Sequence, residues 1–273
     1  MARTMGRASW DMVESRGFGV AGEYPRGTID VAARAAEQAG FRSFWLSQPP
    51  ERDSLLTLSE VARLTDTIEL GIGAIPFTLR PAQSVVDAVV RLELPLRRLR
   101  LGVGSGTEPG ALDRIRQGVR EIKQQLDVHV AVAPLGPKMC RIAGEVADSV
   151  LLNWLVPEFA RTSIEWVREG AASVSRDTPL VCTYVRCAIG QASLPRLRQE
   201  SDRYGSFPHY AAHFRRQGVE PIAATIHAES RDELQSRLAE YEDVLDQVIV
   251  RAVTPHDEPD EVLALIEHAR PRR

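Results

Sequence analysis

The sequence predicts an α/β fold of the (β/α)8, or TIM, barrel class. Eight short apolar runs alternate with amphipathic stretches along the chain, and such alternation implies parallel pairing of the strands. Each run is continuously apolar rather than apolar on one side, as strands buried on both faces are. The length of 273 residues suits a barrel, which at about 250 residues is routinely one domain. A doubly wound open sheet is the competing arrangement, and the count of eight units favours closure. The whole chain, 1–273, is therefore read as one barrel domain, with no linker, low-complexity segment or second hydrophobic core.

The strands are expected at 17–22, 43–48, 68–75, 99–104, 128–133, 149–153, 180–188 and 247–253. Each is short and mostly rich in β-branched or aromatic residues. Helices are expected at 28–39, 54–65, 81–94, 110–125, 137–147 and 157–175, in pieces over 207–242, and at 258–269. Gly40 follows the first helix, where a left-handed C-cap belongs. Pro81, Pro137 and Pro259 stand at helix starts, where a missing N–H costs nothing. In 137–147, Met139, Ile142, Ala143 and Val146 share one face, spaced to pack on a sheet. Helix 81–94 is apolar on more than one face, so it asks for a second partner.

Composition limits the function. Apolar residues make up 44% of the chain, enough for a sizeable core. The net charge of -3 gives no pull toward nucleic acid or a membrane surface. No apolar run is long enough to span a bilayer. Residues 1–10 lack the apolar centre of a secretory signal. Cys140, Cys182 and Cys187 have no metal-ligand spacing and read as small buried hydrophobes in a reducing cytoplasm, so no metal site and a cytoplasmic location are expected.

A barrel of this class carries its site at the C-terminal ends of its strands. That rule selects Gly22-Glu23-Tyr24, Ser47-Gln48, Gly73-Ala74-Ile75, Ser105 to Glu108, Ala133 to Gly136, Asn153-Trp154, Arg186 and Arg251. Gly71 and Gly73 lie inside a strand, which marks a bend or a backbone that approaches a ligand. The run Gly102-Val-Gly-Ser-Gly-Thr-Glu108 lacks the last Gly of a dinucleotide fingerprint, and no acidic residue follows at the required distance, so a Rossmann reading is rejected. Glu108 is the one carboxylate beside that loop: a proton donor, or a solvated Glu near a helix start. Trp154 either stacks on a planar ligand or packs. Leu135-Gly136-Pro137-Lys138 is a turn into a helix N-terminus, which offers free N–H groups and a positive dipole end to an anion such as phosphate.

The stretch from Ala133-Pro-Leu-Gly-Pro137 through Ala143-Gly-Glu-Val-Ala-Asp-Ser149 closely resembles a motif of the bacterial-luciferase-like superfamily of flavin- and deazaflavin-dependent oxidoreductases, with Ser149 where that pattern has Gly. Ala35-Ala-Glu-Gln-Ala-Gly-Phe41, Ile68-Glu-Leu-Gly-Ile-Gly-Ala-Ile-Pro76 and Leu99-Arg-Leu-Gly-Val-Gly-Ser-Gly106 are similar to further segments of that family, in the same order. The resemblance covers 17–190 well and 204–253 weakly. It implies a non-proline cis peptide at Gly73–Ala74, packed against a flavin or deazaflavin ring. It implies ring contacts at Ser47, Gln48, Ala74, Ile75 and Ser105, and a cofactor phosphate near Ala133, Leu135, Gly136, Pro137, Lys138, Asn153 and Trp154. The cofactor implied is coenzyme F420, or alternatively flavin mononucleotide (FMN), acting on a small-molecule substrate in a homodimer. Relatives carry Ser-Asp-His where this chain has Ser47-Gln48-Pro49, so the usual acid–base pair is missing; Gln48 and Glu108 are the catalytic candidates that remain. Many relatives also carry a long insertion before strand five. Its absence here implies a more open pocket, or one closed by a partner subunit. A degenerate barrel that binds flavin weakly or not at all stays open as a third reading.

Overall fold

The computed structural model describes residues 16–271, so the reading of residues 1–10 lies outside the described residues. Nine strands occur: β1 (Arg16–Val20), β2 (Ser43–Leu46), β3 (Glu69–Pro76), β4 (Leu99–Gly104), β5 (His129–Val132), β6 (Ser149–Asn153), β7 (Leu180–Ile189), β8 (Thr225–Ala228) and β9 (Gln247–Ala252). The helices are α1 (Arg26–Ala39), α2 (Ser54–Ala62), α3 (Ala82–Arg91), α4 (Ala111–Gln125), α5 (Pro137–Val146), α6 (Pro157–Ser173), α7 (Leu194–Ser206), α8 (Pro208–Gln217), α9 (Arg231–Glu242) and α10 (Pro259–Ala269).

Every strand pairing is parallel, and β1 through β7 followed by β9 close into a ring of eight as expected. The ninth strand and the helix α7 depart from the sequence reading. Strand β8 has four residues, too few to show a period. It pairs with Arg186–Ile189 of β7, overlapping the stretch that β9 holds. It therefore occupies the other edge, which β6 leaves at Asn153–Tyr184. Helix α7 is strongly polar and buries only Leu197 and Ser201, so its apolar stripe is too thin to read.

Local rules place the ends. Gly40 caps α1 in the left-handed region at φ 86. The Asp53 carboxylate caps α2, accepting from the N–H groups of Leu55 and Leu56 at 3.1 and 3.4 Å. Proline opens α5, α6, α8 and α10. Arg16, 3% exposed, ties the first strand to the last helices: it donates to Glu242 at 2.6 and 2.8 Å, to the Gln235 side chain at 3.0 Å and to the Ala269 carbonyl at 2.8 Å. Helix α3 buries Val85, Val86, Ala88 and Val89 and leaves Val90 exposed.

The strands separate two apolar regions. Outward residues such as Phe18, Phe44, Leu70, Leu101, Val130 and Val250 form the main core with the helices. Inward residues Trp45, Ala131, Leu151, Cys182, Tyr184 and Ile249 form a second cluster inside the ring. Trp45 fills the bore, its indole N–H held by Ser43 at 2.8 Å. A Cβ on Gly71 would lie 2.0 Å from the Trp45 ring, and one on Gly19 3.1 Å from the Trp45 Cβ. Gly71 is thus required by an internal side chain and not by a ligand. Below Trp45 the bore is polar: Glu69 pairs with Arg100, and His129 meets Ser149 at 2.9 Å. None of the helices among the described residues is long and apolar enough to cross a membrane.

Gly71→Ala is expected to destabilise the fold by about 1–3 kcal/mol through overpacking against Trp45. Urea unfolding measures it, and the loss should shrink in a Trp45→Phe background; an equal loss in both backgrounds would disconnect the two residues.

Candidate functional site

A cavity of about 930 Å³ opens at the C-terminal ends of the strands. Its floor is the top of the filled bore, where Leu151 and Tyr184 meet Gly73 and Ala74. The Gly73–Ala74 peptide bond is cis, as the resemblance implies. The strand register shifts there, between Ile72 and Ile75. That shift turns Ile75 outward: it is fully buried in the helix-facing core and does not line the cavity. The Tyr184 hydroxyl is buried with no hydrogen-bond partner, and a Cβ on Gly73 would lie 2.6 Å from it. Burial, the largest influence, pushes the Tyr184 phenol well above its usual range, so it keeps its proton.

One side is the turn before α5. Ala133, Leu135 and Gly136 line the cavity. Gly136 is the N-cap, and no side chain caps the helix start, leaving its N–H groups to another acceptor. Pro137 is the first helical residue and does not reach the cavity; Lys138 is exposed outside it. The cation at this turn comes instead from α8: Arg216 donates to the Leu135 carbonyl at 3.0 Å, and its guanidinium lies 3.5 Å from where a Gly136 Cβ would stand.

The opposite wall is charged. Arg186 on β7 and Arg251 on β9 are register partners, and both bond Glu200 of α7, at 3.0 and 3.3 Å. Arg186 also donates to the Asn153 side chain, and Arg251 to the Ala252 carbonyl. The Arg186 guanidinium lies 4.0 Å over the Trp154 ring and 5.0 Å from that of Tyr204. Trp154 is therefore completely buried beneath Arg186 and against Phe214, and offers no face to a ligand. Burial pushes the Glu200 carboxyl up, but Arg251 and then Arg186 outweigh it and hold it below 4.5. The mouth carries His209 and Tyr210, whose hydroxyl accepts from Asn153 at 3.3 Å.

The remaining candidates divide. Ser47, Gln48, Ser105 and Asn153 line the cavity. The Gln48 amide is consumed by its own loop: it donates to the Pro49 and Arg52 carbonyls and accepts from Ser54 N–H at 3.3 Å. Ser47 Oγ accepts from Gly22 N–H at 3.1 Å. Glu108 does not line the cavity; its side chain is 69% exposed, 3.9 Å from Arg114, which ties down the loop carbonyls of Ser105, Glu108 and Pro109. Tyr184, Glu200, Tyr204 and Arg216 were not selected from sequence. Tyr184 alone had a usable signal, standing two residues before Arg186 on the same face of a strand.

What the arrangement can hold follows from its open positions. A Cβ on Gly104 would meet nothing within 4 Å, Tyr184 presents an unused donor on the floor, and the α5 start is uncapped. These fit a flat ring with carbonyl acceptors that carries a phosphate.

Glu200→Gln leaves two neighbouring arginines without their shared counter-charge and is expected to cost about 3–5 kcal/mol in urea unfolding. In the parent, a depressed folded pKa means that this stabilisation is present above pH 4.5 and lost as pH falls below it. The acid limb of a stability–pH curve should accordingly be flatter in the variant, and parallel curves would remove Glu200 from the account.

The luciferase-like monooxygenase family profile matches residues 5–126 and 113–271. A 5,10-methylenetetrahydromethanopterin reductase of Methanolobus tindarius is 26% identical over 181 residues, 53% of this chain and 56% of that protein; the chain thus spans little more than half the length of this relative. Among solved structures, an F420-dependent secondary alcohol dehydrogenase in complex with an F420-acetone adduct superposes with a TM-score of 0.77 at 14% identity, over 95% of this chain and 98% of that one. The oxygenating constituent of 3,6-diketocamphane monooxygenase of Pseudomonas putida, in complex with FMN, gives 0.68 at 14% identity, over 93% and 97%. With a filled parallel barrel, a cis bond at Gly73–Ala74 and a profile match from end to end of the described residues, the chain belongs to the luciferase-like monooxygenase family.

Proposed function

We propose that this chain is an oxidoreductase that uses coenzyme F420 to pass a hydride to, or take one from, a small organic substrate. The observation that carries the reading is the cavity itself: a flat glycine-lined floor with an unused buried hydroxyl, set across from an uncapped helix start. The likeness in fold to an F420-dependent secondary alcohol dehydrogenase and to a coenzyme F420-dependent tetrahydromethanopterin reductase supports F420. The FMN-bound neighbour supports the second reading, an FMN-dependent monooxygenase, because the same floor and turn suit either ring.

When bound, a reduced deazaflavin supplies a hydride from its ring carbon. The chain's own residues supply the rest. Tyr184 would offer its hydroxyl as a hydrogen-bond donor to the ring from the floor. The first N–H groups of α5, with Arg216 beside them, would hold the phosphate. Gln48 and Ser47 fix the loop after β2 and so shape the ring's edge without exchanging protons. The groups left to hold a proton near a substrate are the Tyr204 and Tyr210 hydroxyls and the His209 imidazole at the mouth. We also propose a homodimer that covers apolar side chains left outside the first three βα units, among them Leu56 (47% exposed), Leu79 (53%) and Val90 (61%).

Titration of the protein with reduced F420 and with reduced FMN should show saturable binding of F420. Binding of FMN alone would select the monooxygenase, and binding of neither the degenerate barrel. Gly136→Asp places a carboxylate at the helix start, within reach of Arg216, and should weaken cofactor binding at least tenfold, about 1.4 kcal/mol. Unchanged affinity in a normally folded variant would move the phosphate elsewhere. Light scattering at micromolar concentration should give the mass of a dimer, and a monomer mass would refute that assembly.

A further inference from the structure

The charged wall of the cavity has more cation than its own fold uses. Arg186 and Arg251 stand directly opposite each other across β7 and β9. Like charges in that relation repel, and buried charges persist only when paired. Yet the pair shares one carboxylate, Glu200. Arg186 is 4% exposed, but its Nη2 is bonded to no protein group among the described residues, and the same holds for Nε of Arg251. Arg203 lines the same cavity and is exposed, and it forms no ion pair among the described residues. The other charges facing the cavity leave this excess in place. Arg196 and Asp257 cancel at 3.0 Å, and Glu23, exposed on the lip after β1, attracts Arg251 without forming an ion pair with it, so one positive charge stays in excess.

We infer that this wall is an oxyanion subsite, and that the substrate is a small acid: a carboxylate or a phosphate ester. The substrate's oxyanion meets Arg251 and Arg203 and the free donor of Arg186, completing a counter-charge that the chain leaves half supplied. Guanidinium forks suit both anions. Arg186 cannot swing away to find another partner, because Trp154 and Tyr204 pack against its plane. This deepens the oxidoreductase reading and rests on the cavity being its substrate site. The turn at Gly136 lies on the other side of the cavity and is reserved for the cofactor phosphate.

The test is calorimetric titration of the cofactor-free protein with inorganic phosphate and with succinate, so that a chain binding neither cofactor still answers. Saturable binding of at least one anion is expected; binding of succinate alone marks a carboxylic acid, and of phosphate alone a phosphate ester. Arg251→Met should weaken it at least tenfold, while Gly136→Asp leaves it within twofold. Arg203→Gln removes an exposed, unpaired side chain with no cost to the fold. It should weaken binding threefold or more and decides the matter where Arg251→Met does not fold. No binding, or parent affinity in the folded arginine variants, overturns the subsite. Loss in Gly136→Asp alone places the anion at the turn and also overturns it. So does competition by FMN but not by riboflavin, which would give the arginines to the cofactor's own phosphate.

Discussion

The structure depends on one steric constraint: a closed ring of eight strands has to fill its own bore. Here the filling is uneven. Large side chains come from β2, β6, β7 and β9, glycines from β1 and β3 face them, and Gly102 of β4 lies against the β3 backbone at Ile72. Trp45 stands over Gly19 and Gly71, and Tyr184 and Leu151 stand over Gly73. A Cβ at Gly71 or Gly73 would meet a ring or a branched side chain at well under contact distance, and one at Gly19 would meet the Trp45 carbonyl and Cβ at 3.0 and 3.1 Å. The barrel is therefore a plug below and a cup above, and the height of the plug sets where a ligand stops.

The height of the plug also fixes the electrostatics of the cup. Along β7, Cys182, Tyr184 and Arg186 point inward in turn, so the strand passes from apolar packing to an unused hydroxyl to a cation within five residues. Along β9, Gln247, Ile249 and Arg251 follow one another on the same face, passing from a polar base through apolar packing to a cation. Because these two strands are in register, the two arginines meet at the rim, and α7 is placed to bring Glu200 between them. The polarity of the site is a consequence of inward alternation continued past the last layer that packing needs. The turn before α5 on the other side has no such layer, and the anion site proposed there would draw on backbone N–H groups and on Arg216 of a helix distant in sequence.

This explains what was legible in the chain. The eight barrel strands were, because burial on both faces writes a continuous apolar run into each one. The turn at Gly136 was, because helix-start chemistry is local. Ile75 was misplaced because a register shift inside β3 reverses facing, and no periodicity rule anticipates a bulge. Glu108 and Lys138 were chosen for charge beside a motif, yet both side chains are exposed outside the cavity: motif distance is measured along the chain and the site is not. Trp154 was read as either stacking on a planar ligand or packing, and it packs, beneath Arg186. Gln48 read as a polar group aimed at a ligand, but its loop carbonyls had the prior claim. Glu200 and Arg216 were invisible for the same reason, since each acts on a partner more than ten residues away across the fold.

The missing acid–base pair after β2 takes a different meaning in this light. A loop that carried a carboxylate and an imidazole at positions 48 and 49 would place titratable groups near the ring's edge. This chain has instead an amide locked to its own backbone and a proline, so that edge is inert to proton transfer. The ionisable groups gather on the far wall, where two arginines hold Glu200 ionised and keep it from acting as an acid. On the proposed reading, hydride chemistry here would depend on orienting a substrate by its charge and on a tyrosine or histidine at the mouth for any proton. The fixed groups around this cavity therefore suit orienting an anion better than moving a proton.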